Sequence, residues 1–284
     1  MILLDFILNL AGLLLWFNWR AAQLEAKVRT APGTIANTIR RTAPSRLQRW
    51  LMLAALFGLI CLRAWFYRHL GPAVEWTAPL NLGAIMLFFR SDKIDLMLLF
   101  STLSFCRTLV VVYFWLLFLD AVNRSATANP ISKFIRLQLG RVAGGPRFLQ
   151  MLLPLLFVAI AWAGLQPLLT NAGITHPAST SGRLFLQGLL IAAGTFLSLK
   201  YLVPGLLFVH FLTSYVYFGS SPFWDFPGIT GRNLLALLRR VPLRLGRMDF
   251  APLIGIVLSL LLLHSLPQWI LKLLERKDLT IWPQ

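Results

Sequence analysis

Residues 96–119 read LMLLFSTLSFCRTLVVVYFWLLFL, twenty-four positions that carry one charged side chain, Arg107. A helix of that length covers about 36 Å, enough to cross the roughly 30 Å hydrocarbon core of a bilayer. Five more apolar stretches of spanning length flank it, at Ile2–Trp19, Trp50–Tyr67, Phe148–Leu169, Leu184–Tyr217 and Phe250–Leu266. The composition agrees. The chain of 284 residues is 57% hydrophobic and 13% charged, about half the charge of a soluble domain, and its mean hydropathy is +0.71. A chain this apolar cannot cover its surface with polar groups in water, so lipid is part of its solvent.

The net charge of +17 fits either nucleic acid or an anionic membrane surface as partner. Position decides. The Lys and Arg residues sit in short blocks between apolar runs, as flanking charges do, and no basic polar module of a nucleic-acid-binding type is present. The segment from Arg20 to Arg49 has seven basic residues against Glu25, and Asp120 to Arg147 has five against Asp120. Gly219 to Asp249 has five against two. The intervening segments are near neutral: three of each sign from Arg68 to Asp95, and only Arg183 before Leu184. Basic and neutral loops therefore alternate. The positive-inside rule puts the basic loops in the cytoplasm and both termini outside. The expected fold is an all-α polytopic membrane protein of the bacterial inner membrane, six transmembrane helices in three hairpins with basic amphipathic cytoplasmic arms.

Smaller features follow from this frame. The first stretch carries Asp5, lacks a basic leader and has no small-residue cleavage site, so it reads as a retained helix and not a signal peptide. Leu80–Phe89 is too short to span and reads as an interfacial strand or helix, or the lead-in to the next span. Pro204-Gly205 lies inside the longest stretch and predicts a kink, a tilt or a helix emerging into the interface there. Cys61 and Cys106 fall in apolar runs and read as small buried residues. His69, His176 and His264 fall near the outer face and His210 in the inner half of its span, which favours interface histidines over haem ligands.

The chain repeats itself. Asn129-Pro130-Ile131-Ser132-Lys133-Phe134 and Ser221-Pro222-Phe223-Trp224-Asp225-Phe226 share one pattern: small polar, Pro, large apolar, two free positions, Phe. Each follows a span and precedes a basic, apolar stretch, with a period of about 92 residues. The preceding spans correspond too, with Cys106-Arg107-Thr108-Leu109-Val110 against Leu199-Lys200-Tyr201-Leu202-Val203. Residues 1–95 form a span, basic loop and span that could be a third, decayed copy. The organisation read from this is an N-terminal hairpin with its outer connection (1–95), a first repeat (96–182) and a second repeat with the tail (183–284).

On these elements the chain resembles the YggT/YlmG family of small bacterial and plastid membrane proteins. Leu238-Arg239-Arg240-Val241-Pro242 is similar to the family's Arg-Arg-x-x-Pro element, and Asp249-Phe250-Ala251-Pro252 to its Asp-Phe-Ser-Pro helix opening. The first repeat keeps Asn-Pro-Ile-x-x-Phe but has Gly140-Arg141 and Gly144-Gly145-Pro146-Arg147 where those elements would stand. The resemblance covers about Leu96 to Ile270. It implies non-enzymatic roles: assembly of a c-type cytochrome complex or nucleoid distribution in plastids, cell division and osmotic or potassium stress in bacteria.

Two groups of residues are candidates for function. Asn233–Leu245 reads as an interfacial helix, with Leu234, Leu235, Leu237, Leu238 and Val241 on one face and Arg239, Arg240 and Arg244 at its edge. Asp249 suits the N-cap of the last span, with Pro252 just behind it and Arg247 as a nearby charge partner. This arm is read either as a topological device or as a docking surface for a partner or anionic lipid. The second group is Arg107 and Lys200, at repeat-equivalent positions near mid-span, where a charge costs about 2.5–3.5 kcal/mol on insertion scales. They fit a structural role, ion-paired or bonded to carbonyls, or an anion or headgroup pathway. The sequence has no Gly-rich phosphate loop, zinc spacing or nucleophile elbow, and its ten Asp and Glu lie mostly in loops. No catalytic residue, cofactor or metal is therefore expected. Expected partners are anionic headgroups at the cytoplasmic face, plus a membrane protein or a second copy of the chain, with no direct nucleic-acid contact. The functional expectation is a non-enzymatic scaffold or assembly factor, with a small ion or solute transporter as the alternative.

Overall fold

Helix starts follow the caps written in the sequence, in a computed structural model that describes residues 2–29, 45–72, 76–82, 85–124, 129–175, 180–219, 221–236, 244–245 and 248–276. Helix α1 spans Ile2–Arg29 and α2 spans Arg46–Leu70. Ser45 and Gln48 close a reciprocal capping box at the head of α2, with 3.2 Å from the Gln48 amide to Ser45 Oγ and 2.8 Å from the Ser45 amide to Gln48 Oε1. Strands β1 (Thr77–Asn81) and β2 (Met86–Arg90) form a two-stranded sheet. Within Leu80–Phe89 the described residues thus belong to paired strands, the strand option of the expectation. Burial alternates along both strands, with Ala78, Leu80, Leu87 and Phe89 inward, as a period of two requires.

Then come α3 (Ile94–Val122), α4 (Pro130–Leu139), α5 (Arg147–Asn171), α6 (Ser181–Phe196), α7 (Leu199–Tyr215) and α8 (Pro222–Leu234). The short strands β3 (Arg244–Leu245) and β4 (Met248–Asp249) precede α9 (Ala251–Arg276). Among the described residues, four helical stretches are long and apolar enough to cross a membrane: α2, α3, α5, and α6 with α7 taken together, Ser181–Tyr215. Most of their surface is unburied within the chain, as lipid-facing surfaces are; Phe57, Ile160 and Phe208 are examples. The protein is a mostly helical membrane protein.

The chain divides into two units, Met1–Leu80 with Phe88–Leu109, and Asn81–Leu87 with Val110–Gln284. In the first, α1 packs along α2. Gly12 sits where a Cβ would come within 2.8 Å of the Phe105 ring, so a bare backbone lets α1 close on α3. In the second unit α5 packs on α6 and α7 on both α8 and α9. A Cβ on Gly188 would meet the Ala159 carbonyl oxygen at 2.9 Å, so α5 and α6 approach through a glycine, as small residues allow in membrane bundles.

Three expectations change here. The break in the long stretch falls at Leu197–Ser198, ahead of Pro204, which sits inside α7. The Thr195 and Ser198 hydroxyls donate back to the Ala192 and Thr195 carbonyls, at 2.5 Å each, and Trp115 Nε1 donates to Ser198 Oγ at 2.9 Å. Hydroxyls that bond back to their own helix bend it, and a fixed indole holds the bend in place. The interfacial helix expected over Asn233–Leu245 changes at its two ends: Asn233 and Leu234 close α8, which Ser221 and Pro222 start, and Arg244–Leu245 is extended, while residues 237–243 lie outside the described residues. Finally, α9 opens at Ala251, so Phe250 flanks it in place of Asp249, which pairs with Arg244 in the β3–β4 ladder.

Candidate functional site

In the first unit the polar residues of three helices converge. Asp5 and Asn9 lie one turn apart on α1, Arg63 and Tyr67 one turn apart on α2, and Ser104 on α3. Spacing of four residues puts each pair on one helix face. Arg63 Nη2 donates to Asp5 Oδ1 at 2.5 Å and to Ser104 Oγ at 2.9 Å. Its Nη1 donates to Asn9 Oδ1 at 2.9 Å, and Asn9 Nδ2 donates to Ser104 Oγ at 3.2 Å. The Tyr67 hydroxyl donates to the same Asp5 oxygen. The guanidinium also lies over the Phe100 ring, 5.4 Å from its centroid. The Arg63 side chain is 2% exposed and that of Asp5 23%. An ionised pair inside apolar helices is tolerated when each charge is paired and most of its hydrogen bonds are met. This cluster pairs the two charges and engages both terminal nitrogens of Arg63, leaves the buried Nε without a hydrogen-bond partner among the described residues, and joins α1, α2 and α3.

Sequence reading missed it, using Asp5 only against a signal peptide and leaving Arg63 unremarked inside its span. A signal was available: each of two spans carries a polar pair at i, i+4, and the pairs have opposite charge.

In the second unit the repeated motif is a repeated structure. Asn129 caps α4, its Oδ1 accepting from the Ile131 amide at 2.9 Å. Ser221 caps α8 in the same way, its Oγ accepting from the Phe223 amide at 3.3 Å. A proline follows in each first turn, where no amide is needed. The two openings touch, with Asn129 Nδ2 donating to the Pro222 carbonyl at 3.3 Å.

Both arms are tied to the end of α3. Asp120, its side chain 2% exposed, accepts from Arg136 Nε at 2.9 Å, the Gly144 amide at 3.0 Å and Gln150 Nε2 at 2.8 Å. One carboxylate thus joins α3, α4, the turn beyond α4 and the first turn of α5. Gly144 adopts φ 75, a conformation that suits a residue without Cβ. Arg136 Nη2 also donates to the Arg124 carbonyl at 3.1 Å. For α8, Asn123 Nδ2 donates to Thr230 Oγ1 at 2.8 Å, and Asn233 Nδ2 donates to Asn123 Oδ1 at 3.1 Å and to the Val122 carbonyl at 3.2 Å. Beneath these bonds Leu117, Leu119, Ile135, Leu139 and Phe226 form one buried apolar cluster.

The outward side of α4 is different. Lys133, Phe134, Leu137 and Arg141 are exposed there, continuing into Arg147 and Phe148 at the head of α5. This is an apolar stripe edged with basic groups, the pattern of a helix at headgroup level.

The residues proposed from sequence fall as follows. Arg107 is exposed midway along α3, and its neighbour Cys106 is exposed as well, so this face of α3 points outward and the reading of Cys106 as buried is overturned. Lys200 is half-buried at the head of α7, its Nζ 5.0 Å from the centroid of the Tyr201 ring. Arg244 and Asp249 are directly opposite in β3 and β4. Arg239, Arg240, Arg247 and His176 lie outside the described residues. His69 is exposed beside the Trp65 ring, at 4.5 Å, and His264 is exposed. No family model, curated protein or solved structure matches this chain.

Proposed function

We propose that this chain is a non-enzymatic membrane scaffold or assembly factor that presents two short amphipathic arms at the cytoplasmic face of a bacterial inner membrane. One observation carries the reading: α4 and α8 are both fastened to the end of α3, and α4 keeps its Lys133, Phe134 and Leu137 outward, with Arg141 exposed in the turn beyond it. A surface held rigid and left uncovered is what a docking platform needs. In this reading α1 and α9 are spans too, giving six helices in three hairpins with both termini outside. The exposed Val257, Leu261 and Leu262 of α9 suit lipid, and the Asp5–Arg63 cluster offsets the polarity of α1. The resemblance to the YggT/YlmG family, strongest at Arg239, Arg240 and Asp249, points the same way. Partners of the arms are anionic headgroups and a membrane protein or a second copy of the chain.

The test is capture. The protein is purified in mild detergent from cells carrying the wild type, a Lys133→Glu/Phe134→Ala/Leu137→Ala variant, or an Arg239→Ala/Arg240→Ala/Arg247→Ala variant. Loss of co-purifying protein in either variant, with the fold retained, is the expected result. Unchanged capture in both overturns the scaffold.

Transport is the second reading, and the exposed mid-span position of Arg107 is the observation that favours it. Purified protein that passes ions across liposomes, with flux stopped by Arg107→Leu, would establish transport and remove the scaffold reading.

A further inference from the structure

A groove of about 610 Å³ opens in the second unit where the end of α7 meets the first turn of α4 and one side of α8 from Pro222 to Arg232, a size suited to a small ligand or headgroup. Its chemistry is carried by Asn129, His210, Thr213, Trp224, Asp225 and Arg232. His210 and Thr213 belong to the final turn and a half of the membrane-crossing stretch Ser181–Tyr215. Around it Tyr215, Tyr217, Phe218 and Phe223 are exposed, an aromatic belt of the kind found at headgroup depth.

Two opposite charges face this groove from one helix. Asp225 and Arg232 are seven residues apart on α8, two turns and about 10 Å along the axis, on the same side. They form no ion pair with each other among the described residues. Arg232 uses its Nε on the Gly228 carbonyl at 3.3 Å, which holds the guanidinium in the groove and leaves its terminal amino groups available. Asp225 lies in the first turn of α8, where the helix dipole favours an anion. The Thr213 and Ser214 hydroxyls donate to the His210 carbonyl, at 3.0 and 2.8 Å, leaving their oxygens able to accept. A ligand that satisfies this arrangement carries a cation and an anion a short link apart.

Trp224 narrows the choice. Its ring is stacked on Phe218, at 4.7 Å and 27°, and meets Phe223 edge-on at 5.2 Å. With the indole so engaged, a hydrogen-bonding primary ammonium on the Asp225 carboxylate is favoured over a trimethylammonium on an open ring face.

We propose that this groove binds the headgroup of a zwitterionic aminophospholipid, its primary ammonium on Asp225 and its phosphate on Arg232. The site rests on the reading that this end of α7 lies at the membrane surface, and it is independent of whether the arms hold a protein partner.

The experiment is native mass spectrometry of the intact chain in detergent, titrated with phosphatidylethanolamine, phosphatidylcholine and phosphatidylglycerol of matched acyl chains, and with soluble phosphoethanolamine. Phosphatidylethanolamine is expected to bind about tenfold tighter than the other two lipids, the size of one well-placed charged contact. Asp225→Asn should erase that preference while binding persists, and Arg232→Gln should weaken all three lipids. Wild-type protein that binds phosphatidylglycerol or phosphatidylcholine as tightly as phosphatidylethanolamine overturns the proposal without any variant. So does a preference unchanged in both variants. Phosphoethanolamine binding as tightly as the lipid overturns the lipid as source. If lipid preference survives while arm variants leave partner capture unchanged, the scaffold alone has failed; the reverse outcome removes only this site.

Discussion

Replacing Arg63 by leucine should be among the most damaging single changes in the first unit, and replacing Asp5 along with it should repair most of the damage. Arg63→Leu leaves the Asp5 carboxylate, 23% exposed, facing Tyr67 and apolar side chains without its counter-charge. Removing one partner of a buried ion pair costs about 3–5 kcal/mol, and the partial exposure of Asp5 argues for the lower end. Arg63 also donates to Asn9 and Ser104, and hydrogen bonds between membrane helices average about 0.6 kcal/mol each. The sum is about 4 kcal/mol. Asp5→Leu should cost at least as much, because the guanidinium it strands is 2% exposed. The double variant buries no charge. Since apolar replacement of both partners is often neutral or better, its cost should stay near the two lost hydrogen bonds, about 1 kcal/mol. The measurement is a double-mutant cycle on unfolding in mixed micelles, followed by far-ultraviolet circular dichroism. With each single change at about 4 kcal/mol and the double at about 1, a coupling of about 7 kcal/mol is expected. Additivity of the two single changes within about 0.5 kcal/mol would refute the pairing.

Asp120→Asn keeps the shape but removes the charge that three donors share; at about 1.5–3 kcal/mol for a hydrogen bond to a charged group, α4 should become accessible to protease while the spans remain protected. Thr230→Val strands Asn123 Nδ2 in a buried site, and about 1–3 kcal/mol of stability should be lost in the same micelle assay. Gly188→Val drives a side chain into the Ala159 backbone; overpacking of about 1–3 kcal/mol should lower the melting temperature, with Gly182→Val, where a Cβ meets nothing within 4 Å, as the silent control.

What was legible in the sequence and what was not divides along physical lines. Hydrophobic length is a property of contiguous residues, so the four long apolar stretches could be read directly. The caps could be read as well, because Asn129-Pro130 and Ser221-Pro222 act within one turn of themselves. Leucine spacing over Asn233–Leu245 did not reveal that Asn233 and Leu234 close a helix begun at Pro222, because apolar spacing carries no start signal, whereas a cap with proline behind it fixes where a helix begins. The break at Ser198 depends on Trp115, some eighty residues earlier, and no local pattern carries that. The Asp5–Arg63 pair, also brought together by the fold, lay between residues 58 apart.

The basic side chains within the apolar stretches bear on what the molecule does, because lipid gives each of them the same problem. Arg63 is held inside the chain, paired with Asp5 and bonded through its terminal nitrogens to Asn9 and Ser104. Lys200 is eased by the break at Leu197–Ser198, which places it at the start of a helix beside the Tyr201 ring. Arg107 differs. It is exposed, thirteen residues from Ile94 and fifteen from Val122, so about 20 Å of helix separates it from either end, farther than an arginine side chain reaches. A charge at this depth costs about 2.5–3.5 kcal/mol on insertion scales. A second protein surface laid over this exposed face of α3 lowers that cost by shielding the guanidinium from lipid. A transport pathway does so equally well only if water reaches the same face, and Cys106 beside it gives the means to tell. A thiol under a protein partner stays unmodified by water-soluble reagents until the complex is dissociated, whereas a thiol lining a wet pathway reacts in the intact membrane.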